Sequence, residues 1–211
     1  MSNFNNLLKP RIVNIEDVGP NTTKVTLEPL ERGFGHTLGS ALRRIMLSSI
    51  VGSSVTEVTI EGVQHEYSAI EGIQEDVIDI MLNLKEVAFK MNGNSSATLN
   101  LSKSETGLVT ASDIELKNDI EIVNPNHVIA NITTKGALLN MQIEVSEGIG
   151  YSSAGQRLHD SNRTIGSLLI DASYSPIKKV SYKVDSARVE QRTDLDTVSY
   201  THLTLPTTWL V

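Results

Sequence analysis

The residues of this chain most able to do chemistry are its histidines. One of them, in the segment His65-Glu66-Tyr67, lies next to a carboxylate, as a general base often does. Adjacent residues of an extended segment point to opposite faces, however, so this pair is poorly placed to act together. The other candidates are scattered, without the close spacing that usually marks a metal site: His36, His127 and His159. A cluster built from distant histidines stays open, but the spacing itself predicts no metal site.

Serine and glycine patterns give no stronger indication of catalysis. The pairs Ser48-Ser49 and Ser152-Ser153 lack the G-x-S-x-G turn that exposes a serine nucleophile. Gly33-Phe34-Gly35 with Gly39 resembles a phosphate-binding loop only superficially, because the G-x-G-x-x-G spacing fails. Glycines that set a tight turn are the simpler interpretation. The sequence therefore predicts no catalytic residue and no cofactor.

The clearest functional pattern lies in residues 27–49 and concerns protein contacts. A helix from about residue 36 to 49 places an apolar stripe on one side, which needs a packing partner: Leu38, Ala41, Leu42, Ile45 and Met46. The opposite side carries Ser40, Arg43, Arg44 and Leu47. A large apolar residue beside two guanidiniums is typical of interface centres. The spacing equally allows Leu47 to touch a strand while the arginines are solvated or pair with Glu28 or Glu31.

The amino-acid composition narrows the classes of function that remain. The 211 residues allow one large or two small domains. Cysteine is absent, which removes disulfides and fits a reducing compartment. The net charge of −7, with Arg43-Arg44 and Lys178-Lys179 as the adjacent basic pairs, argues against a domain that grips phosphates. No apolar run approaches the ~18 residues that span a bilayer, and no signal peptide is evident. We expect a cytoplasmic protein without membrane or direct DNA contact.

Hydrophobic periodicity predicts a mixed α+β chain around this helix. Strands are expected at residues 24–28, where Pro29 stops the strand, and at residues 57–63. Ser68 and Glu71 have capping-box spacing and would begin a second helix, whose apolar face repeats at helical spacing: Ile73, Val77, Ile80, Met81 and Leu84.

The middle of the chain is predicted to be rich in strands. Asn92-Gly93 predicts a hairpin between residues 87–91 and 97–101. Further strands are expected at residues 120–123, 128–132, 138–145, 168–171 and 180–185. Residues 147–164 lack periodicity and are rich in Gly, Ser and Asn, which predicts a long exposed loop.

Several strings of residues resemble, in the same order, the amino-terminal domain of the bacterial RNA polymerase alpha subunit. LERGFGHTLGSALRR at residues 30–44 opens the resemblance, which runs from about residue 8 to residue 196. It continues in VTEVTIEGVQHEYSAIEGIQEDVIDIMLNLK (55–85), GLVTASDI (107–114), LLIDASYSPI (168–177) and ARVEQRTDLD (187–196). The resemblance implies an assembly platform that dimerises and recruits the beta and beta-prime subunits, with catalysis in those partners.

The resemblance also implies a two-lobed architecture. Residues 1–51 and 177–196 would form a discontinuous dimerisation lobe, and residues 52–176 an inserted β-rich lobe. At matching positions, Arg44 and Leu47, with Arg43 beside them, would contact beta, and Lys85 and Ile170 would contact beta-prime. Lys85 would also sit favourably at a helix carboxyl end for structural reasons alone. Homodimer contacts would come from the first helix and its entry turn: Phe34, Leu38, Leu42 and Ile45.

The last residues, TVSYTHLTLPTTWLV (197–211), match nothing in the family, which continues there with a strand and a long helix. Val198 and Tyr200 would share one face of a strand, whereas Leu203 and Leu205 fall on the other, which predicts a poor strand. Our hypothesis is that this tail is foreign sequence appended to a truncated domain, with a natural divergent variant as the alternative. The dimer surface would then be incomplete.

Two other classes of function compete with the platform. One is a small hydrolase or transferase with His65 or His159 as its base. The other is a nucleic-acid-binding module, which would show salt-dependent binding.

Overall fold

The computed structural model describes residues 11–19, 21–93, 95–116, 119–157, 166–189 and 191–204. It has an α+β fold with a strand-rich middle, which confirms the predicted fold class. The chain divides into two compact units, here named the terminal unit (Met1–Ile50 and Pro176–Val211) and the central unit (Val51–Ser175). No described helix has the length and apolarity needed to cross a membrane.

The elements of the described residues are numbered in chain order. They are β1 (Arg11–Gly19), β2 (Thr22–Leu30), α1 (Phe34–Ser48), β3 (Val51–Ile60), α2 (Val77–Glu86), β4 (Phe89–Met91), β5 (Ser96–Lys103), β6 (Gly107–Thr110), a 3-10 helix (Ala111–Asp113), β7 (Ile114–Glu115), β8 (Ile120–Ile122), β9 (Val128–Ile132), β10 (Leu139–Ile149), β11 (Tyr151–Ser152), α3 (Ala154–Arg157), β12 (Leu168–Leu169), β13 (Ala172–Ser173), β14 (Ile177–Val189) and β15 (Arg192–Thr204).

The terminal unit is a four-stranded antiparallel sheet with α1 packed on one face. The strand order is β1-β2-β15-β14, so the two early strands lie together and pair, through β2 and β15, with the two late strands. Tyr200 of β15 is opposite Val25 on one side and Tyr182 on the other. Its core cluster has three buried residues, Leu30, Val198 and Tyr200, against which half-buried residues pack: Leu27, Leu38, Leu42, Tyr182 and Val184.

The expectation of a poor strand after residue 196 is wrong for the part that the structure describes. β15 runs through Thr204 between two neighbours, with Leu203 opposite Thr22 of β2 and Lys179 of β14. Val198, Tyr200 and His202 alternate onto the core face, and all three are buried. The alternation of apolar residues breaks at Leu203 because the neighbouring inward position holds His202, and a polar residue does not appear in a pattern of apolar residues. Residues 205–211 lie outside the described residues.

Two glycines of α1 make the close contact between helix and sheet. Gly33 sets the entry turn with φ of 86°, as the turn interpretation predicts. Gly35 and Gly39, however, lie inside α1 and are its only fully buried residues. A Cβ at Gly39 would lie 2.5 Å from the Tyr182 ring, and one at Gly35 would lie 2.6 Å from a methyl of Val184. The glycines therefore let α1 approach β14.

The central unit is built on a five-stranded sheet of order β12-β3-β10-β5-β7. Val58 and Ile60 share the buried face of β3, and α2 buries one side of its own: Val77, Ile80, Met81 and Leu84. These residues join one large cluster with the inward residues of β5, β9 and β10, among them Leu99, Ile129 and Ile143.

The start of α2 differs from the predicted capping box. The helix begins at Val77, and Ser68 instead donates from its Oγ to the carbonyl of His65 at 2.6 Å. Ile73, predicted to lie on the helix, forms a bridge with Ile132 of β9. Backbone pairing, including the long-range bridge from Ile73 to Ile132, thus competes successfully with local helix propensity.

The predicted hairpin at Asn92-Gly93 is also wrong. Gly93 has the positive φ of such a turn, 93°. Yet β4 pairs with β8, while β5 pairs with β10 and β7. Gly93 has the backbone conformation expected of the turn, but each of the two strands pairs with strands farther along the chain.

The predicted long loop at residues 147–164 is partly regular structure. Its first residues complete β10, and β11 and α3 follow. Residues 158–165, including His159, lie outside the described residues. The strand predicted at residues 168–171 is shorter, since β12 covers only Leu168–Leu169.

Candidate protein interfaces

The entry to α1 is held by a carboxylate from β15. Asp196 Oδ2 accepts hydrogen bonds from the backbone N–H groups of Gly33 at 2.8 Å and Gly35 at 3.2 Å. Free N–H groups and the helix dipole make this end of a helix favourable for a negative charge. Asp196 therefore fixes where α1 starts and how it lies on the sheet. Sequence reasoning missed this residue, because the two ends of the contact are far apart in the chain.

An ion pair also holds the turn before α1. Arg192 donates from both terminal nitrogens to Glu31, at 3.2 and 2.8 Å. The hydrogen bond from Arg192 holds the pKa of Glu31 below its ordinary value. Glu28 in turn accepts a hydrogen bond from Thr197 at 2.7 Å. Both acids that could have paired with the α1 arginines thus have other partners.

The structure brings the predicted beta-contact residues together on the side of α1 that faces β14. Arg43 and Leu47 line a groove of ≈ 360 Å³ whose other wall is the start of β14. Arg43, Arg44 and Leu47 line a second groove of ≈ 370 Å³, with Tyr182 as its inner wall. Leu47 is half-buried and both arginines are exposed. Within the described residues neither guanidinium makes an ion pair, so both are free to meet another molecule.

The predicted dimer residues lie on a different side of α1. Phe34 and Ile45 are 56% and 52% exposed, a large fraction for such side chains. Leu38 and Leu42 are half-buried against the sheet and flank that exposed pair. The stripe predicted from the sequence is therefore split, with part of it packed internally and part of it facing solvent. The same sheet face continues onto β1, where Ile15, opposite Val25, is 61% exposed.

The central unit places the two predicted beta-prime residues in one groove. Lys85 at the end of α2 and Ile170 after β12 line a groove of ≈ 310 Å³. Its apolar wall includes Leu82, which is 55% exposed. Ile170 is itself only 4% exposed, so it contributes mainly to the floor.

The floor of this groove is fixed by Arg157, which sequence reasoning did not single out. Its guanidinium donates to the carbonyls of Thr56, at 3.0 Å, and of Ile170. Asp171, which follows Ile170, accepts a hydrogen bond from the backbone N–H of Ala154 at 2.8 Å. This hydrogen bond lowers the pKa of the Asp171 carboxyl group. α3 and the segment after β12 are therefore tied together next to Lys85.

The described histidines do not form a catalytic cluster. His36 meets the Tyr182 ring edge-on at 6.5 Å, and His127 Nε2 is 3.0 Å from the carbonyl of Asn83. His65 contributes its carbonyl to the turn at Ser68. No group of three or more potential metal ligands occurs among the described residues.

The central unit places this protein in the class of RNA polymerase subunit domains that take part in assembly of the enzyme. A family model described as the RNA polymerase Rpb3/RpoA insert domain matches residues 58–175, more than half of the chain. The chain belongs to this family. The match ends at Ser175, where the central unit also ends. The protein accordingly belongs in an RNA polymerase complex with other subunits.

Proposed function

We propose that this chain is an alpha-type, non-catalytic assembly platform of a bacterial RNA polymerase in the cytoplasm. It dimerises and recruits the beta and beta-prime subunits, which carry out nucleotidyl transfer. The resemblance of residues 30–44 and 187–196 to the bacterial alpha subunit supports this choice, since both segments lie outside the family match. No DNA contact is assigned to this chain.

The observation that carries the proposal is the division of α1 into three sides. Gly35 and Gly39 bury one side on the sheet. The exposed pair Phe34 and Ile45 occupies a second side, and the exposed arginines with Leu47 occupy a third. A helix with two exposed sides of different chemistry can bind two partners at once.

The two sides are assigned by their chemistry. Phe34, Ile45 and the flanking Leu38 and Leu42 present an apolar surface, which suits a self-complementary contact with a second copy of the chain. Arg43, Arg44 and Leu47 combine an apolar centre with two unpaired guanidiniums, which suits the beta subunit as a different partner.

The central unit supplies the beta-prime contact in this proposal. Lys85 gives a charged rim, and Ile170 and Leu82 give an apolar surface for a side chain of the partner. Arg157 and Asp171 act indirectly, by holding the groove in shape.

The test is capture of purified beta subunit from the source organism by the full chain and by Arg44→Ala. Arg44→Ala is expected to weaken binding by on the order of 1–4 kcal/mol if the residue is a hot spot, without changing the fold. Lys183→Ala is the matched control, because its exposed side chain lies elsewhere on the terminal unit. Equal capture by wild type and Arg44→Ala would exclude the assigned face, and no capture by either would contradict the proposed function.

A further inference from the structure

The two adjacent basic pairs of the chain meet at one place in the terminal unit. Arg43-Arg44 lies on α1 and Lys178-Lys179 lies at the start of β14, far away in the sequence. Arg43 and both lysines line the same groove of ≈ 360 Å³. The sequence shows two separate pairs of basic residues, and the fold brings them together on one surface.

A β-bulge explains how two consecutive lysines reach one groove. In a regular strand, neighbouring side chains point to opposite faces. The register of β14 against β15 shifts between Ile177 and Lys179, so that the extra residue Lys178 interrupts this alternation. Bulges commonly redirect side chains at the edge of a sheet, and β14 is an edge strand.

The described part of the combined surface has a single sign of charge. Among the residues that the structure describes, no aspartate or glutamate lines either of the two grooves beside Leu47. All four basic side chains are exposed, and within the described residues none of them forms an ion pair. The whole chain carries a net charge of −7, so this is a local positive surface on an acidic protein. Such a local patch steers an oppositely charged partner to one place.

We propose that Arg43, Arg44, Lys178 and Lys179 bind an acidic segment of the beta subunit, which inserts an apolar side chain beside Leu47. This inference rests on the proposed function and extends its beta contact from α1 onto β14. Carboxylates of the segment pair with the four cations around the rim, and the apolar side chain packs against Leu47 and Tyr182. The partner is identified by this combination of negative charge with one apolar residue.

A protein segment fits this surface better than a nucleic acid does. Binding of single strands usually needs an open aromatic face for base stacking. Tyr182 does not offer one, because its ring packs against Tyr200 at 6.2 Å and against His36 at 6.5 Å. The half-buried Leu47 between the two grooves adds an apolar contact that a phosphate backbone does not use.

The test compares binding of purified beta subunit by the full chain and by two double variants. Lys178→Glu with Lys179→Glu is expected to raise the Kd by about tenfold and to flatten its dependence on NaCl, because screening then weakens fewer ion pairs. Lys135→Glu with Lys183→Glu makes the same change in net charge at exposed positions that do not line the groove, and its Kd is expected to match wild type. Lys178→Gln with Lys179→Gln should give an intermediate Kd. Circular dichroism checks that every variant is folded.

Three outcomes would overturn the inference, and they are distinguishable. If the groove variant and the control bind beta equally while Arg44→Ala binds more weakly than wild type, β14 is not part of the contact and the proposed function survives. If wild type does not bind beta at all, the proposed function fails together with the inference. If wild type shifts a short DNA duplex and the lysine variant abolishes that shift, the surface serves nucleic acid instead.

Discussion

The two units of this protein differ in the size of their buried apolar cores. The central unit packs α2 and its strands into one large cluster, in which Ile80, Leu84 and Ile143 are fully buried. The terminal unit has a core cluster with only three buried residues, and it leaves Phe34 and Ile45 exposed. The central unit also exposes large apolar side chains, among them Tyr67 and Leu82. The terminal unit therefore differs in having the smaller core of its own, and its exposed pair on α1 is a surface that we expect another molecule to cover.

The largest effect is expected from a cavity in the central unit. Leu84→Ala removes a side chain with 0% exposure and should cost about 2–5 kcal/mol of unfolding free energy. Hydrogen exchange followed by mass spectrometry should show the loss in peptides from the central unit. Leu82→Ala, on the exposed side of the same helix, is the control. Equal losses for both variants would contradict the packing described for α2.

The next effect concerns the helix contact of the terminal unit. Gly39→Val would place a Cβ about 2.5 Å from the Tyr182 ring, so that α1 must move away from the sheet, at a cost of about 1–3 kcal/mol. Amides of α1 and β14 should exchange faster, and those of α2 should not. Gly155→Ala, where a Cβ meets nothing within 4 Å, should have little effect. Unchanged protection of α1 in Gly39→Val would show that the glycine contact is not required.

A smaller effect is expected from the carboxylate at the start of α1. Asp196→Ala leaves the N–H groups of Gly33 and Gly35 without their acceptor, which should cost about 1 kcal/mol, as for loss of an N-cap. Thermal unfolding of the terminal unit measures the loss. Asp185→Ala, an exposed aspartate of the same sheet, serves as control. If the terminal unit of Asp196→Ala is as stable as that of wild type, Asp196 is not needed to position α1.

The smallest effect is a pH dependence confined to the terminal unit. Burial lowers the pKa of His202, so the fold favours its neutral form. The resulting stability is complete above the unfolded value of about 6.5 and is lost as pH falls through the lowered pKa. Hydrogen bonds from Arg192 and from the backbone of Ala154 lower the pKa values of the Glu31 and Asp171 carboxyl groups, so both groups stay ionised where His202 titrates.

The protection factors of the β15 amides, corrected for the intrinsic exchange rate at each pH, should therefore fall as the pH is lowered from about 7.5 to about 5.5, while those of the central unit stay constant. His202→Gln should remove this dependence. A dependence that persists in His202→Gln would assign the effect to another group.

Local patterns predicted much of this structure. The spacing of apolar residues located α1 and the strands β8 and β9, because these elements show their periodicity within a short window. The predicted contact residues also fell into groups on the structure, with Arg43 beside Arg44 and Leu47, and Lys85 beside Ile170. Whether these groups bind the assigned partners stays a prediction.

Most of the features that sequence reasoning missed depend on residues distant in the chain. Asp196 caps a helix that begins at Phe34, and Arg157 binds a carbonyl of β3. The strands on either side of Asn92-Gly93 pair elsewhere, although the turn itself is locally correct. His202 continues the inward face of β15 with a polar residue. Pairings of this kind are set by the whole fold and leave little trace in a local window.

The strand order of the terminal unit also determines when that unit can fold during synthesis. β2 emerges early from the ribosome, but its neighbour β15 ends at Thr204. The ribosome must make the whole central unit before β15 exists. The strands of the central sheet, in contrast, all lie within Val51–Ser175. Because domains fold as units while the chain grows, the central unit is expected to fold first. Until β15 arrives, β1, β2 and α1 form a nascent segment with an unpaired sheet edge, and this is the interval in which a chaperone would bind it.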